Sequence, residues 1–257
     1  MPLSRLAADQ FAGTSADASE ASGTVDSLTA ALAARFGRVG GDMPFVEADP
    51  LSDRRRPTAV AVPEGYEPGY AYPLVVWLHD TGSSEHTLHA VMRGVSDRNY
   101  LGLSVRGSAC EAAGGTGFGW SDRAVRELGE RLPALVSAVK AEWNVHTERV
   151  YLAGLGSGAD AAAALLATRP EWFAGAALLA GGTLPPLQLS ADALAGKRML
   201  LSGEDGRRSA PAVLAAAAVW RETGARAEVR LTNDAPLSTA ALRALDRWLM
   251  AGVAVGV

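Results

Sequence analysis

The chain has 257 residues, 48% of them hydrophobic, and a formal net charge of −4. This length and apolar content favour one α/β domain with a sizeable core over two small domains. The acidic balance argues against a nucleic-acid partner, and no stretch reaches the roughly 18 apolar residues of a membrane-spanning helix. A single cysteine, Cys110, excludes an internal disulfide framework, and the first residues lack the order of a secretory signal, so we predict a cytoplasmic location.

The first 44 residues differ from the rest in composition. The segment FAGTSADASEASGT is small and polar, which predicts partial flexibility. It is followed by Leu28, Leu32 and Phe36, which fall four residues apart and predict an amphipathic helix near residues 26–37. This apolar stripe either packs on the chain's own domain or docks on a neighbouring subunit. We therefore treat residues 1–44 as an N-terminal extension.

The main domain, residues 45–257, alternates strand-like and helix-like segments. Seven segments have the apolar character of strands: 57–62, 72–79, 100–107, 149–154, 173–182, 198–205 and 225–232. Five segments have helical character: 84–96, 121–143 with Ser121 as its N-cap, 157–170, 209–224 and 238–252. Such alternation is typical of right-handed βαβ units. We predict an α/β fold, with a mostly parallel central sheet and helices on both faces.

Two stretches of this domain resemble the α/β-hydrolase superfamily, in particular its phospholipase/carboxylesterase and feruloyl-esterase-like branch. VPEGYEPGYAYPLVVWLHDTGSSE, residues 62–85, resembles that branch's first strands and oxyanion loop. WNVHTERVYLAGLGSGADAAAALLATRPEWFAGAALLAGG, residues 143–182, resembles its nucleophile elbow, the following helix and the next strand. The resemblance begins near residue 56 and continues to the C-terminus. It implies an α/β-hydrolase fold on an esterase scaffold, whereas function must be argued from the site.

The family's elbow has the pattern Gly-x-Ser-x-Gly, in which a strained turn lifts the nucleophilic serine off the end of a strand. In this chain the matching register is Gly154-Leu155-Gly156-Ser157-Gly158. Gly156 therefore stands at the nucleophile's position, and it has no side chain that could attack a substrate. Ser157 follows one position later, and using it as the nucleophile would put the bulky Leu155 at a tight flank. This spacing indicates an elbow without its nucleophile.

The resemblance also implies an acid and then a histidine after the elbow. All four histidines of the chain precede the elbow: His79, His86, His89 and His146. The start of the last helix has Ala235 or Pro236 at the family's histidine position, so no imidazole is available there as a base. Asp205 or Glu204 could occupy the acid position, but a solvated surface carboxylate is the favoured interpretation. The triad is thus predicted to be degenerate.

The oxyanion loop LHDTG also departs from the family. It retains His79 and Gly82 but has Asp80 where the family usually has glycine. A carboxylate near the oxyanion hole would oppose the negative charge that develops during ester hydrolysis. Asp80 could instead cap the helix predicted to begin near Ser83 or Ser84. This third change also indicates loss of hydrolysis.

Other interpretations use the same residues. GLGSGA matches a dinucleotide-binding fingerprint, but the next strand does not end in the acidic residue that the fingerprint requires. The helix that begins at Ser157 could still bind a small anion. His86 and His89, near Glu85, have a spacing that metal ligands can use, although two ordinary helix-face histidines are favoured. Cys110 lacks an evident base. We predict no metal and no cofactor.

The sequence therefore predicts a catalytically inactive α/β-hydrolase-like protein with a structural, self-assembly or protein-interaction role. The partner is expected to be a second copy of the chain or another protein, bound through the N-terminal extension. An alternative is a weak or unorthodox serine esterase that uses Ser157. A more distant alternative is a small-anion or nucleotide binder at the glycine turn, residues 154–158.

Overall fold

A computed structural model describes residues 57–112, 115–181, 189–206 and 209–254. The predicted N-terminal extension and its helix near residues 26–37 lie outside these ranges, and the boundary between extension and main domain stays a prediction.

Seven of the nine strands in the described residues form one sheet. In the described ranges the strands are β1 Thr58–Ala61, β2 Tyr72–Leu78, β3 Leu101–Val105, β4 Ser108–Ala112, β5 Gly115–Gly119, β6 Val145–Leu155, β7 Gly175–Leu179, β8 Arg198–Glu204 and β9 Arg226–Thr232. The order in the large sheet is β1-β3-β2-β6-β7-β8-β9. Only β1 runs antiparallel to its neighbour, and the other pairs in this sheet are parallel. The predicted mostly parallel sheet is confirmed.

Helices cover both faces of this sheet. They are α1 Thr87–Val95, α2 Asp122–Glu142, α3 Ser157–Thr168, α4 Ser209–Glu222 and α5 Thr239–Ala254, with a 3-10 turn at Pro170–Trp172. The Ser121 hydroxyl accepts a hydrogen bond from the Ala124 N–H at 3.2 Å, which confirms the predicted N-cap of α2. None of the described helices is both long and apolar enough to cross a membrane.

The packing of β2 on both faces explains why its sequence is apolar throughout. Leu74, Val76 and Leu78 pack into the core beneath α2, α3 and α4. Val75 and Trp77 point to the opposite face, into the core beneath α1 and α5. Because side chains alternate along a strand, a strand with helices on both faces must be apolar at every position.

The sequence prediction missed one element and misplaced several boundaries. Strands β4 and β5 form an antiparallel hairpin, whereas this glycine-rich segment had no strand prediction. The hairpin packs on the loop after β2, and a Cβ at Gly117 would lie 2.5 Å from the Cα of Gly82. Its glycines therefore serve close backbone approach, which hides the usual apolar alternation of a strand. In addition, β6 begins at Val145 rather than 149, and α1 begins at Thr87 rather than 84.

Candidate functional site

The carboxyl end of β6 leads directly into α3 through a sharp turn. Strand β6 ends at Leu155 and α3 begins at Ser157, so one residue, Gly156, makes the reversal. Gly156 has φ 53° and ψ −120°, a backbone conformation that residues with a Cβ adopt only at a cost. The predicted strand–turn–helix elbow is present, and its apex residue carries no side chain.

The glycines around the apex are required by close packing. A Cβ at Gly154 would lie 2.3 Å from the carbonyl oxygen of Gly158, and a Cβ at Gly158 would lie 2.1 Å from the carbonyl oxygen of Leu78. A Cβ at Gly181, just after β7, would lie 2.3 Å from the carbonyl oxygen of Gly156. The backbones of β2, β6 and β7 therefore converge around the turn, which leaves space only for glycine at these positions.

The side chain of Asp80 reaches from the loop after β2 to this turn. Its Oδ1 accepts hydrogen bonds from the N–H of Ser157 at 2.9 Å and from the N–H of Thr81 at 2.8 Å. The Ser157 hydroxyl also donates to Asp80 Oδ1 at 3.2 Å, and the Thr81 hydroxyl donates to Ser157 Oγ at 2.8 Å. A Cβ at Gly156 would lie only 2.3 Å from Asp80 Oδ1. The carboxylate thus fills the space that a side chain at the apex would need.

The predicted capping role of Asp80 is wrong in its target. Helix α1 begins at Thr87, and its N-cap residue, His86, makes no side-chain capping hydrogen bond. Asp80 instead binds the N-terminus of α3, through the N–H of Ser157. The unpaired N–H groups and partial positive charge of a helix N-terminus attract a carboxylate, and tertiary folding brings this one within reach.

His79, directly after β2, is fully buried and links two segments of the chain through its ring. Its Nε2 accepts a hydrogen bond from the N–H of Gly107 at 3.1 Å, so its proton lies on Nδ1, which donates to the carbonyl oxygen of Asp80 at 2.8 Å. Burial desolvates the imidazole and lowers its pKa. The indole N–H of Trp120 also donates to the His79 carbonyl at 2.8 Å. With both ring nitrogens engaged, His79 is not placed as a general base.

A buried ion pair lies next to this loop. Glu85 is 1% exposed, and its Oε2 accepts from Arg106 Nε at 2.7 Å, while its Oε1 accepts from the Nη2 of the same guanidinium. Burial opposes ionisation of Glu85, but the hydrogen bonds and charge of Arg106 outweigh it and lower the pKa of the carboxyl. The Arg106 guanidinium also lies 4.6 Å from the centre of the Phe118 ring, on the hairpin. Arg106 thus connects the hairpin to the segment between β2 and α1.

The structure therefore gives Glu85 a role other than metal binding. Its carboxylate binds Arg106, and His86 Nε2 lies 3.2 Å from the same carboxylate. His89 is partly buried within α1, and Cys110 lies in β4. In the part of the chain that the structure describes, no group of three or more His, Cys, Asp or Glu side chains could hold a metal ion.

The predicted acid positions lie at the last residue of β8 and directly after it, and the predicted histidine position lies after the end of β9. Glu204 and Asp205 are exposed, and the Asp205 N–H donates to the carbonyl oxygen of Thr232 at 3.0 Å. Ala235 is exposed, and its carbonyl accepts from the N–H of Ser238 at 2.8 Å, just before α5. Because parallel strands end at one edge, these positions share an edge of the sheet with the elbow. His146 lies in the first part of β6, far along that strand from the elbow.

Three contributors to the site were missed from the sequence. Thr81 supplies both an N–H and a hydroxyl, Arg106 pairs with Glu85, and Trp120 binds the His79 carbonyl. Thr81 follows Asp80 directly, so its position in the sequence could have indicated that it belongs to the site. The other two lie more than twenty residues beyond the loop, and no spacing in the sequence relates them to it.

The parallel sheet, the helices on both faces and the glycine elbow define an α/β-hydrolase fold of the carboxylesterase type. The family model for Esterase PHB depolymerase matches residues 62–230 of the chain. The chain belongs to that esterase family.

Individual relatives agree with this assignment. Probable feruloyl esterase C of Aspergillus terreus is 28% identical over 160 residues, which make up 61% of this chain. The match covers 57% of that relative, so the chain spans little more than half of its length. Carboxylesterases of Mesorhizobium loti and Bacillus cereus each have a TM-score of 0.61, at 20% and 19% identity, over 78% of this chain and 97% and 96% of theirs. At such identities the structural similarity shows the fold alone.

Proposed function

We propose that this protein is a non-hydrolytic member of its esterase family, with a structural, self-assembly or protein-interaction role. One observation carries the proposal. The apex of the elbow is Gly156, and the Asp80 carboxylate fills the space that a nucleophilic side chain would occupy there. A serine at this apex could not coexist with Asp80 in its present position.

Two physical arguments support inactivity. Ester hydrolysis requires hydrogen-bond donors aimed at a developing oxyanion, whereas here the Ser157 N–H already binds a carboxylate. The negative charge of the Asp80 carboxylate beside this N–H opposes the negative charge of a developing oxyanion. Loss of one triad member in a serine hydrolase typically lowers turnover by about 10⁴ to 10⁶, and joint loss is scarcely worse. The expected activity is therefore that of weak background chemistry.

The test of inactivity compares the wild-type protein with Ser157→Ala. Hydrolysis of p-nitrophenyl acetate and labelling by a fluorophosphonate are measured for both, with Ser190→Ala, an exposed serine outside the elbow, as a matched control. We expect all three proteins to hydrolyse the ester at the same background rate and to remain unlabelled. Turnover or labelling that Ser157→Ala abolishes and Ser190→Ala retains would contradict the proposal.

A weak serine esterase that uses Ser157 is the second candidate, and one contact favours it. The Ser157 hydroxyl donates to Asp80 Oδ1 at 3.2 Å, so a proton acceptor is within reach of a possible nucleophile. Under this candidate Asp80→Asn and Ser157→Ala would abolish the same activity, because the amide cannot take the proton. Under the first proposal neither variant changes the background rate.

The assembly role depends on the N-terminal extension, with its predicted stripe of Leu28, Leu32 and Phe36. We propose that this stripe binds a second copy of the chain or another protein. Light scattering on the full-length protein is compared with a chain that begins at residue 45. We expect the full-length protein to be larger than a monomer and the shortened chain to be monomeric. Two identical monomers would remove the basis for an assembly role in the extension.

A further inference from the structure

We propose that Asp80 is a built-in anion, which occupies the pocket that would otherwise bind an oxyanion, and that the pocket without it is a binding site for small carboxylates. In α/β-hydrolases the oxyanion is held by the N–H of the residue after the nucleophile and by an N–H from the loop after an earlier strand. Here the corresponding groups are the N–H of Ser157 and an N–H of the loop after β2. Thr81 supplies the latter.

Both N–H groups bind the same oxygen atom. Asp80 Oδ1 lies 2.9 Å from the nitrogen of Ser157 and 2.8 Å from the nitrogen of Thr81. The two residues are 76 positions apart in the chain, so tertiary structure alone brings their N–H groups together. Two donors on one carboxylate oxygen form charge-assisted hydrogen bonds, which are shorter and stronger than neutral ones. The two N–H groups therefore form an anion pocket, which the Asp80 carboxylate occupies.

Gly156 provides the room for this occupant. A Cβ at Gly156 would lie within 2.6 Å of all three carboxyl atoms of Asp80, Oδ1, Cγ and Oδ2. Truncation of Asp80 to alanine would thus leave a space the size of a carboxylate group, bordered by the apex glycine and lined by the Ser157 and Thr81 N–H groups. Formate, which is a carboxylate group carrying only a hydrogen, matches that space in size and charge.

Covalent attachment explains why the wild-type pocket stays filled. Asp80 belongs to the loop that forms one wall, so its carboxylate has a high effective concentration at the pocket. An external carboxylate would have to displace it. This inference rests on the proposed function, since it concerns the same site, and it identifies the contact that holds the oxyanion pocket closed to other anions.

The experiment measures melting temperature against sodium formate, with sodium chloride at equal ionic strength as the reference. In Asp80→Ala, formate at ten times its dissociation constant should raise the melting temperature by roughly 3–6 °C above chloride. Wild-type protein should show no formate-specific shift, because its pocket is filled. Asp80→Asn should show none either, since its amide still occupies the space.

The matched control is Asp122→Ala, which removes another carboxylate from the first turn of a helix, α2. It should respond to formate and chloride alike. If Asp80→Ala does not fold in chloride, its refolding yield is measured in both salts, and a formate-dependent yield supports the pocket. Equal behaviour of Asp80→Ala in the two salts, or a formate shift in the wild-type protein, overturns the inference. Neither readout involves ester turnover, so failure here is distinct from failure of the proposed function.

Discussion

Replacing Gly156 with alanine tests the geometry of the elbow in the most direct way. The new Cβ would meet two obstacles at once. It would sit at φ 53°, where a Cβ is strained, and it would lie 2.3 Å from Asp80 Oδ1. Gly65→Ala separates the two effects, because Gly65 has φ 66° and no atom within 4 Å of the added Cβ.

The expected losses of unfolding free energy follow from these obstacles. The strained backbone alone costs about 1–2 kcal/mol, which is the expectation for Gly65→Ala. Displacing the Asp80 carboxylate from its hydrogen bonds adds about 1.5–3 kcal/mol, so Gly156→Ala should lose about 2.5–5 kcal/mol. Each single variant loses the hydrogen bonds of the Asp80 carboxylate, whereas the double variant Gly156→Ala, Asp80→Gly loses the same hydrogen bonds only once. The double variant should therefore be less destabilised than the sum of the two single variants, by about 1.5–3 kcal/mol.

The assay is urea denaturation of the four proteins of this cycle, followed by a second cycle in which Gly65→Ala replaces Gly156→Ala. Positions without contact add to within about 0.5 kcal/mol, which is the expectation for the Gly65 cycle. If the Gly156 cycle is also additive within that margin, the carboxylate does not occupy the space at the apex, and the geometric reasoning fails.

Three further predictions concern the loop that carries Asp80. Glu85→Gln should cost about 2–4 kcal/mol in urea denaturation, less than for a fully buried pair because Arg106 is 25% exposed. Glu127→Gln, in an exposed helical pair, should cost much less than Glu85→Gln, and equal losses would contradict the buried pairing of Glu85 with Arg106. Burial lowers the pKa of His79 in the folded protein, so the unfolded chain binds a proton there more readily. The contribution of His79 to the free energy of unfolding should therefore be fully present above a pH of about 6.5 and fall as the pH drops below that value. His79→Phe should flatten this pH slope, and an unchanged slope would exclude His79 as its source. Trp120→Phe removes the hydrogen bond to the His79 carbonyl and should lower the free energy of unfolding by about 1 kcal/mol in thermal denaturation. An unchanged melting temperature would show that this hydrogen bond does not stabilise the fold.

The sequence by itself determined the fold class, most of the helices and strands, and the absence of a side chain at the elbow apex. These features are local. Apolar runs flanked by turn residues define strands, helical periodicity defines helices, and the glycine spacing at residues 154–158 marks a turn whether or not its partners are known. The resemblance to esterases rested on the same local stretches, and the family match over residues 62–230 confirms it.

Only the tertiary structure decided what fills the elbow. From the sequence, Asp80 was a misplaced carboxylate that could cap the nearest helix, since adjacency was the only available guide. Folding brings β2 beside β6, so the loop after β2 meets the start of α3, and the carboxylate binds the N–H of Ser157. The Glu85–Arg106 pair was unpredictable for the same reason. The hairpin β4–β5 was missed for a local reason, because its glycines hide the apolar alternation of a strand. Hydrogen bonds and ion pairs between distant segments depend on which strand ends become neighbours, and that arrangement exists only once the sheet has formed.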